Sequence, residues 1–495
     1  MGKPFAGKCS PEVWFGILIS FILCFLLLLF DYPNTFSRVN NGVSLFESTQ
    51  THPIGIVNNQ SNSVINQSTT DSCSGRYVFI HDDLPAKFNY DLLNNCESLT
   101  EGSNMPNMCP YIKNFGFGPE INNSEGVLSN KRWFSTNQFS LELIFHNKMK
   151  QYECLTNNSA QASAIYIPIY VGLEDSQHLW DPNLTARDSF GEDFSKWVSR
   201  RSEWKKMWGR DHFFVSGRVA FDYRRKTDNI SDWGSKLRVL PESKNMTMLA
   251  IEASSRKNDI AIPYPTGFHP AKDSEVFQWQ NKVRKQERPY LFAFVGAPRP
   301  DHPNSPRGKL FDQCRASSTC KVLNCHSSGI NCEDTVTVMR VFQRSVYCLQ
   351  PTGDTFTRKS AFDSFLAGCI PVFFHPASAY NQYLWHLPKN HSMYSVFIPV
   401  SEVKDLEDGS IEKTLLGISK DKELAMREEV IRLIPKLVYG DPRSRLGTQD
   451  AFDIAVNKIL ERIENVRKVI RQGRDPSIGF AEKDGNKFLF PEELY

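Results

Sequence analysis

Between Ser345 and His375 the chain reads SVYCLQPTGDTFTRKSAFDSFLAGCIPVFFH, and its residue types suit an anion. Gly353 lets backbone come close to a phosphate. Arg358 and Lys359 place two full positive charges side by side, with the Ser360 hydroxyl next and the Asp363 carboxylate a turn further on. A second basic loop, FVGAPRPDHPNSPRG (Phe294 to Gly308), contributes Arg299 and Arg307. Cations joined to the free N–H groups at a helix start would bind a diphosphate. Taken singly, each arginine reads equally well as a surface residue, and Asp363 as an ordinary acid on a helix face.

The elements that must position these groups are legible around them. Val346–Leu349 is a short apolar run expected to be a buried strand, and residues 350–355 follow as a turn. Arg358 to Ala367 is expected to be helical, with Gly368 as its cap and Ile370 to Phe374 as the next strand. In such a βαβ half-unit the turn lies at the ligand edge of a parallel sheet. Earlier strands are expected at Arg76 to Ile80, Ser163 to Tyr170, His212 to Ser216 and Met248 to Ala253, with helices at Phe134 to Lys150 and Ser195 to Met207. The pattern restarts at Pro289 to Gly296 and Cys320 to Leu323, after a break near Pro270 to Glu287. Apolar residues from Phe452 to Ile470 recur at three and four, which predicts a C-terminal amphipathic helix. Two successive α/β patterns imply two domains, at 73–280 and 281–440, with a helix and tail at 441–495.

CLQPTGD, the basic pair and AFDSFLAGCIPVFF together resemble the nucleotide-sugar signature of the exostosin-like glycosyltransferases, family 47, and within it the plant clade of xyloglucan galactosyltransferases. The likeness extends through RYVFIHDDLPAKFN, WFSTNQF, GRDHFFVSGR, IPYPTGFHP and WHLPKN, covering about Arg76 to Gln472. The resemblance implies a GT-B fold, α/β with two Rossmann-like domains facing a cleft. It implies single-step inverting transfer of galactose from UDP-galactose to the xylose side chains of a xyloglucan acceptor, with Asp363 accepting hydrogen bonds from the ribose. In the wider family the basic residue comes later in the turn, after a serine. Here Arg358 and Lys359 come first and Ser360 takes the later place, so the sequence leaves open which side chain meets the phosphate.

Many glycosyltransferases neutralise the leaving diphosphate with a metal held by Asp-x-Asp. That motif occurs nowhere in this chain, so a metal-free site is expected. The acceptor hydroxyl needs a base. His81, Asp82 and Asp83 end the first expected strand, while Asp211 and His212 open another; Asp82, Asp83 and His212 are the candidates. Asp83, ahead of Leu-Pro, could instead cap a turn, and His212 could be a core histidine. Other readings keep the fold but change the donor to UDP-galacturonic acid or UDP-arabinose, or make the chain a non-catalytic subunit beside other Golgi glycosyltransferases. A glycoside hydrolase would need two carboxylates across one cleft and no diphosphate turn.

The bulk numbers narrow the class. Fifty-eight basic and 55 acidic residues are interspersed for a net charge of +3, which argues against a nucleic-acid partner. Val13 to Phe30 is uncharged and apolar; at 1.5 Å per residue it spans roughly 27 Å. With Lys3 and Lys8 before it and Asp31 after, it reads as a signal anchor at 13–30. The cytosolic tail is then 1–12 and the catalytic region lies in the Golgi lumen. Residues 31–72, rich in Asn, Ser, Thr and Gln, read as a disordered stem. Asn59, Asn66, Asn122, Asn157, Asn183, Asn229, Asn245 and Asn390 head Asn-x-Ser/Thr sequons, a frequency suited to a lumenal protein. Ten of 12 cysteines follow the anchor, permitting five disulfides of undetermined pairing. Cys314, Cys320, Cys325 and Cys332 lack the paired spacing of a zinc cluster. Cys348 and Cys369 are expected as buried thiols.

Overall fold

The computed structural model describes residues 71–489, apart from 98, 100–106, 123–124, 301–304, 328–331 and 405–408. The expected tail, anchor and most of the stem, with Asn59 and Asn66, lie outside the described residues. Among the described residues no helix is long and apolar enough to cross a membrane.

Two five-stranded parallel sheets organise the chain within one compact unit. The first runs in sequence order: β1 (Tyr77–Ile80), β2 (Ala162–Tyr166), β3 (His212–Val219), β4 (Thr247–Glu252) and β5 (Asp259–Ala261). Its central strands are near-continuous apolar runs because both faces are covered; every residue of β4 is buried. The second sheet contains β6 (Tyr290–Gly296), β7 (Cys320–Asn324), β8 (Ser345–Gln350), β9 (Ile370–Phe373) and β10 (Val396–Phe397), in the order β10-β9-β8-β6-β7. The chain goes from β6 to β7 on one side, then returns to place β8 on the other. Pairing of β6 with β8 runs from Tyr290↔Ser345 to Ala293↔Cys348. That reversal is a switch point, where the carboxyl ends of neighbouring strands open a ligand crevice.

Several boundaries differ from expectation for identifiable reasons. The helix expected over Phe134 to Lys150 covers only Leu141–Met149. The preceding backbone is engaged elsewhere: the Phe134 N–H donates to Gly267 O and that of Ser135 to Pro119 O. The helix expected at Ser195 to Met207 is two, Leu184–Val198 and Ser202–Met207. The expected inter-domain break contains the helix Asp273–Lys285, whose Trp279 packs edge-on against Trp133 at 4.6 Å. The C-terminal helix, Ala451–Arg471, begins at a capping box between Asp450 and Asp453. It returns to the first sheet: Phe452 lies 4.8 Å from Phe145, and Arg467 donates to Ala162 O of β2.

Ten cysteines form five disulfides: Cys73–Cys154, Cys96–Cys109, Cys314–Cys320, Cys325–Cys332 and Cys348–Cys369. The last corrects the buried-thiol expectation, because β8 and β9 are adjacent and bring both side chains to one layer. Of the described sequon asparagines, Asn122, Asn157, Asn183, Asn229 and Asn390 are exposed and Asn245 is half-buried.

Candidate active site

Beyond Gln350, the end of β8, the turn rises to Arg358, which flanks the helix Lys359–Leu366 in extended conformation. The helix closes at Gly368, whose φ of +64° suits glycine, with Cys369 N donating to Ser364 O. The turn is held from the opposite sheet. Glu252, the last residue of β4, accepts the N–H groups of Phe356 (3.2 Å) and Thr357 (2.9 Å) and the Thr357 hydroxyl (2.6 Å). Burial raises the Glu252 pKa, and the Thr357 bonds oppose that rise. The carboxyl ends of the two sheets therefore meet at this turn.

Three arginines converge there. Arg299 pairs through both terminal nitrogens with Asp354. Arg307 opens the helix Arg307–Ala316 and donates from Nε to Thr352 O at 3.2 Å. Its pKa is pushed down to about 10, first by burial and then by the charges of Arg358 and Arg299. The Arg358 guanidinium lies across Gly353, where any β-carbon would overlap it, and its buried Nη2 has no hydrogen-bond partner among the described residues. Three clustered cations with one carboxylate between them and one donor left unmet among the described residues are an arrangement that can bind an anion.

Arg358 also stands between two hollows. One of about 450 Å³ is lined by Lys359, Ser360, Asp363, Val295, Thr335 and Met339. In it Lys359 Nζ contacts both Asp363 oxygens at 2.9 and 2.8 Å, and Ser360 Oγ donates to Gln350 Oε1 at 2.6 Å. The other, about 960 Å³, has Gly353, Asp354 and Arg299 on one wall and Arg218, Asp222 and Trp233 on another. Asp222 follows the carboxyl end of β3. Its Oδ2 accepts Arg218 Nε at 2.8 Å and its Oδ1 the Trp233 indole N–H at 3.2 Å. Burial raises its pKa, and Arg218 works against the rise. A further hollow of about 840 Å³ lies between β5, the C-terminal helix and the tail. Its Lys487 is committed to the carbonyls of Ser254, Arg256 and Asp259.

The seven residues expected at the donor are thus brought together at one place. Arg299, Gly353 and Arg358 line the large hollow; Lys359, Ser360 and Asp363 line the small one; Arg307 backs the turn. The three base candidates are not brought there, and none of them lines either hollow. His212 opens β3 and is buried with Nδ1 donating to Asp211 Oδ1 at 2.8 Å. Asp82 and Asp83 are exposed beyond β1, the outermost strand, and Asp83 is held by His81 and Arg201. Glu252 and Asp222 were not foreseen. The available signal is their place at the carboxyl end of β4 and just past that of β3, the same kind of sheet edge as the Arg358 turn.

The fold is α/β, with three arginines gathered where the carboxyl ends of two parallel sheets meet. Residues 72–415 match the exostosin GT47 domain, and the chain belongs to that glycosyltransferase family. It is 52% identical to "Probable xyloglucan galactosyltransferase GT14" of Arabidopsis thaliana, over 92% of this chain and 88% of that one. Xyloglucan galactosyltransferase MUR3 of the same plant is 50% identical, with 86% and 68% covered. Its xyloglucan-specific galacturonosyltransferase 1 is 41% identical, with 80% and 59% covered. A solved structure, the pneumococcal O-GlcNAc transferase GtfA with UDP and GlcNAc, overlaps 58% of this chain and 60% of that one at 9% identity and a TM-score of 0.27, too distant to bear on the site.

Proposed function

We propose that this chain transfers galactose from UDP-galactose to the xylose side chains of xyloglucan, in one inverting step without a metal, in the Golgi lumen. The observation that carries the reading is the unmet Arg358 donor beside Arg299 and Arg307 at the start of the signature helix. The donor's diphosphate sits on Arg358, its nucleoside in the small hollow with Asp363 toward the ribose, and its sugar in the large one. The acceptor xylose approaches from the first sheet. Asp222 takes the proton of the attacking hydroxyl while its oxygen bonds to the anomeric carbon on the face opposite UDP. The bond from that carbon to the β-phosphate oxygen breaks, UDP leaves with the electron pair, and Arg358 stabilises its charge.

GT-B architecture fits two parallel sheets whose carboxyl ends oppose each other. Type II anchoring by Val13 to Phe30 in the Golgi membrane is supported by that apolar run and by the exposed sequons, and would place the chain among other Golgi glycosyltransferases. The galacturonosyltransferase among the relatives makes UDP-galacturonic acid the specific rival donor. The test is to incubate the chain with xylosylated glucan oligosaccharides and separate UDP-sugars, reading product masses. Gain of one hexose from UDP-galactose supports the reading. Gain of a uronic acid instead would replace the donor, and no gain from any donor would favour a non-catalytic subunit.

A further inference from the structure

Trp180 and Trp233 border the large hollow with an arrangement that transfer at the anion site does not require. They are 62% and 42% exposed, and their rings lie 5.9 Å apart at 49°. Large apolar side chains left in water beside a polar cavity mark a binding surface. These two are also held in place. The buried guanidinium of Arg187 donates to the carbonyls of Asp181, Ile230 and Asp232, joining the two loops that carry them. Gly234 N donates to Leu179 O at 2.9 Å, and Gly234 has a φ of +82° at a place where a β-carbon would run into Asp222 O, so the turn calls for glycine. The Trp233 indole N–H is fixed on Asp222.

We infer that Trp180 and Trp233 form a stacking platform for the glucan backbone of the acceptor, beyond the point of transfer. The inference rests on the function proposed above and names the part of the acceptor that these residues bind. A β-linked glucan is uncharged, so ion pairs cannot hold it. Each pyranose ring has faces of C–H bonds with hydroxyls around the edge, and an aromatic face carries the partial negative charge that such hydrogens meet. The platform is continuous with the cavity wall that contains Asp222, so a backbone lying on it presents a xylose branch to that carboxylate. Binding energy gathered away from the reacting atoms then serves to position the branch.

The test uses the full chain made in a eukaryotic secretory host, because the sequons at Asn183 and Asn229 lie on the same two loops. Calorimetry with a xylosylated glucan oligosaccharide, and separately with UDP, is run on the wild type, Trp180→Ala, Trp180→Phe and Trp233→Phe. Trp180→Ala is expected to weaken glucan binding roughly tenfold, with Trp180→Phe restoring most of it and UDP affinity unchanged in every variant. Trp233→Phe keeps a ring and is expected to keep glucan affinity, while altering the rate through the lost bond to Asp222. If wild type and Trp180→Ala bind the glucan equally, the platform is overturned while the proposed activity stands. If the wild type binds no glucan, the acceptor assignment falls and the platform falls with it.

Discussion

Arg358 is where one residue does most to define the site, because its guanidinium lies against Gly353 and presents a buried donor with no partner among the described residues. Replacing it with alanine removes a charge-assisted bond worth on the order of 1.5–3 kcal/mol, so UDP affinity should fall roughly tenfold to a hundredfold. Lysine should restore only part, lacking the planar fork. Calorimetry decides it: a variant that bound UDP normally but lost the oligosaccharide would move Arg358 to the acceptor. Asp222→Asn should lower kcat by about 10²–10⁴ and leave UDP binding intact. Burial raises the Asp222 pKa, so the base is lost to protonation as pH falls through a value above 3.8. The rate should therefore decline on the acid side in the wild type, and the asparagine variant should lack that limb. A limb that persisted in the variant would assign the titration to another group. The grouping of Gly353, Arg358, Lys359, Ser360 and Asp363 was legible because they belong to one short local segment. Asp222 was not, because only folding brings it opposite that segment; the histidine-aspartate pairs drew attention by composition, yet His212 begins its strand.

At the scale of elements, the strand–turn–helix unit is pinned at both ends. Glu252 holds the turn from β4, and Cys348–Cys369 ties β8 to the start of β9 across 21 residues. Removing that disulfide with paired alanines should cost about 3 kcal/mol and reduce UDP affinity, read as a lower Tm and a weaker calorimetric signal. An unchanged Tm would mean that strand packing alone holds the unit. Most strands could be read from sequence because parallel strands covered on both faces are apolar throughout. β5 and β10 escaped notice, having only three and two residues. The helix expected from Phe134 failed for a different reason: Trp133 and Phe134 bridge to Phe268 and Glu120, and those long-range pairings outcompete helical propensity.

Over the whole molecule, the parallel sheets meet through their carboxyl ends, and contacts beyond the turn reinforce the meeting. Tyr383 donates to Ile251 O at 2.7 Å, and Gln382 Oε1 accepts the Ala253 N–H at 2.9 Å. Two α/β halves and the family were readable from ordered motifs along the chain. The return of the C-terminal helix to the first sheet was not, since periodicity reports an apolar face without its partner. On the proposed metal-free reading, with three arginines at the turn, chelator should leave activity intact; loss of activity that manganese restores would contradict this. Endoglycosidase should lower the mass of the native protein by several glycans, whereas an unglycosylated, carbonate-extractable protein would remove the case for a lumenal anchor. The most direct single measurement follows the reaction by NMR with UDP-galactose, a xylosylated glucan oligosaccharide and chelator present. The expected result is a new anomeric signal from a β-linked galactose on xylose. A galactose linked with retained configuration, one placed on the glucan backbone, or no transfer at all would contradict it.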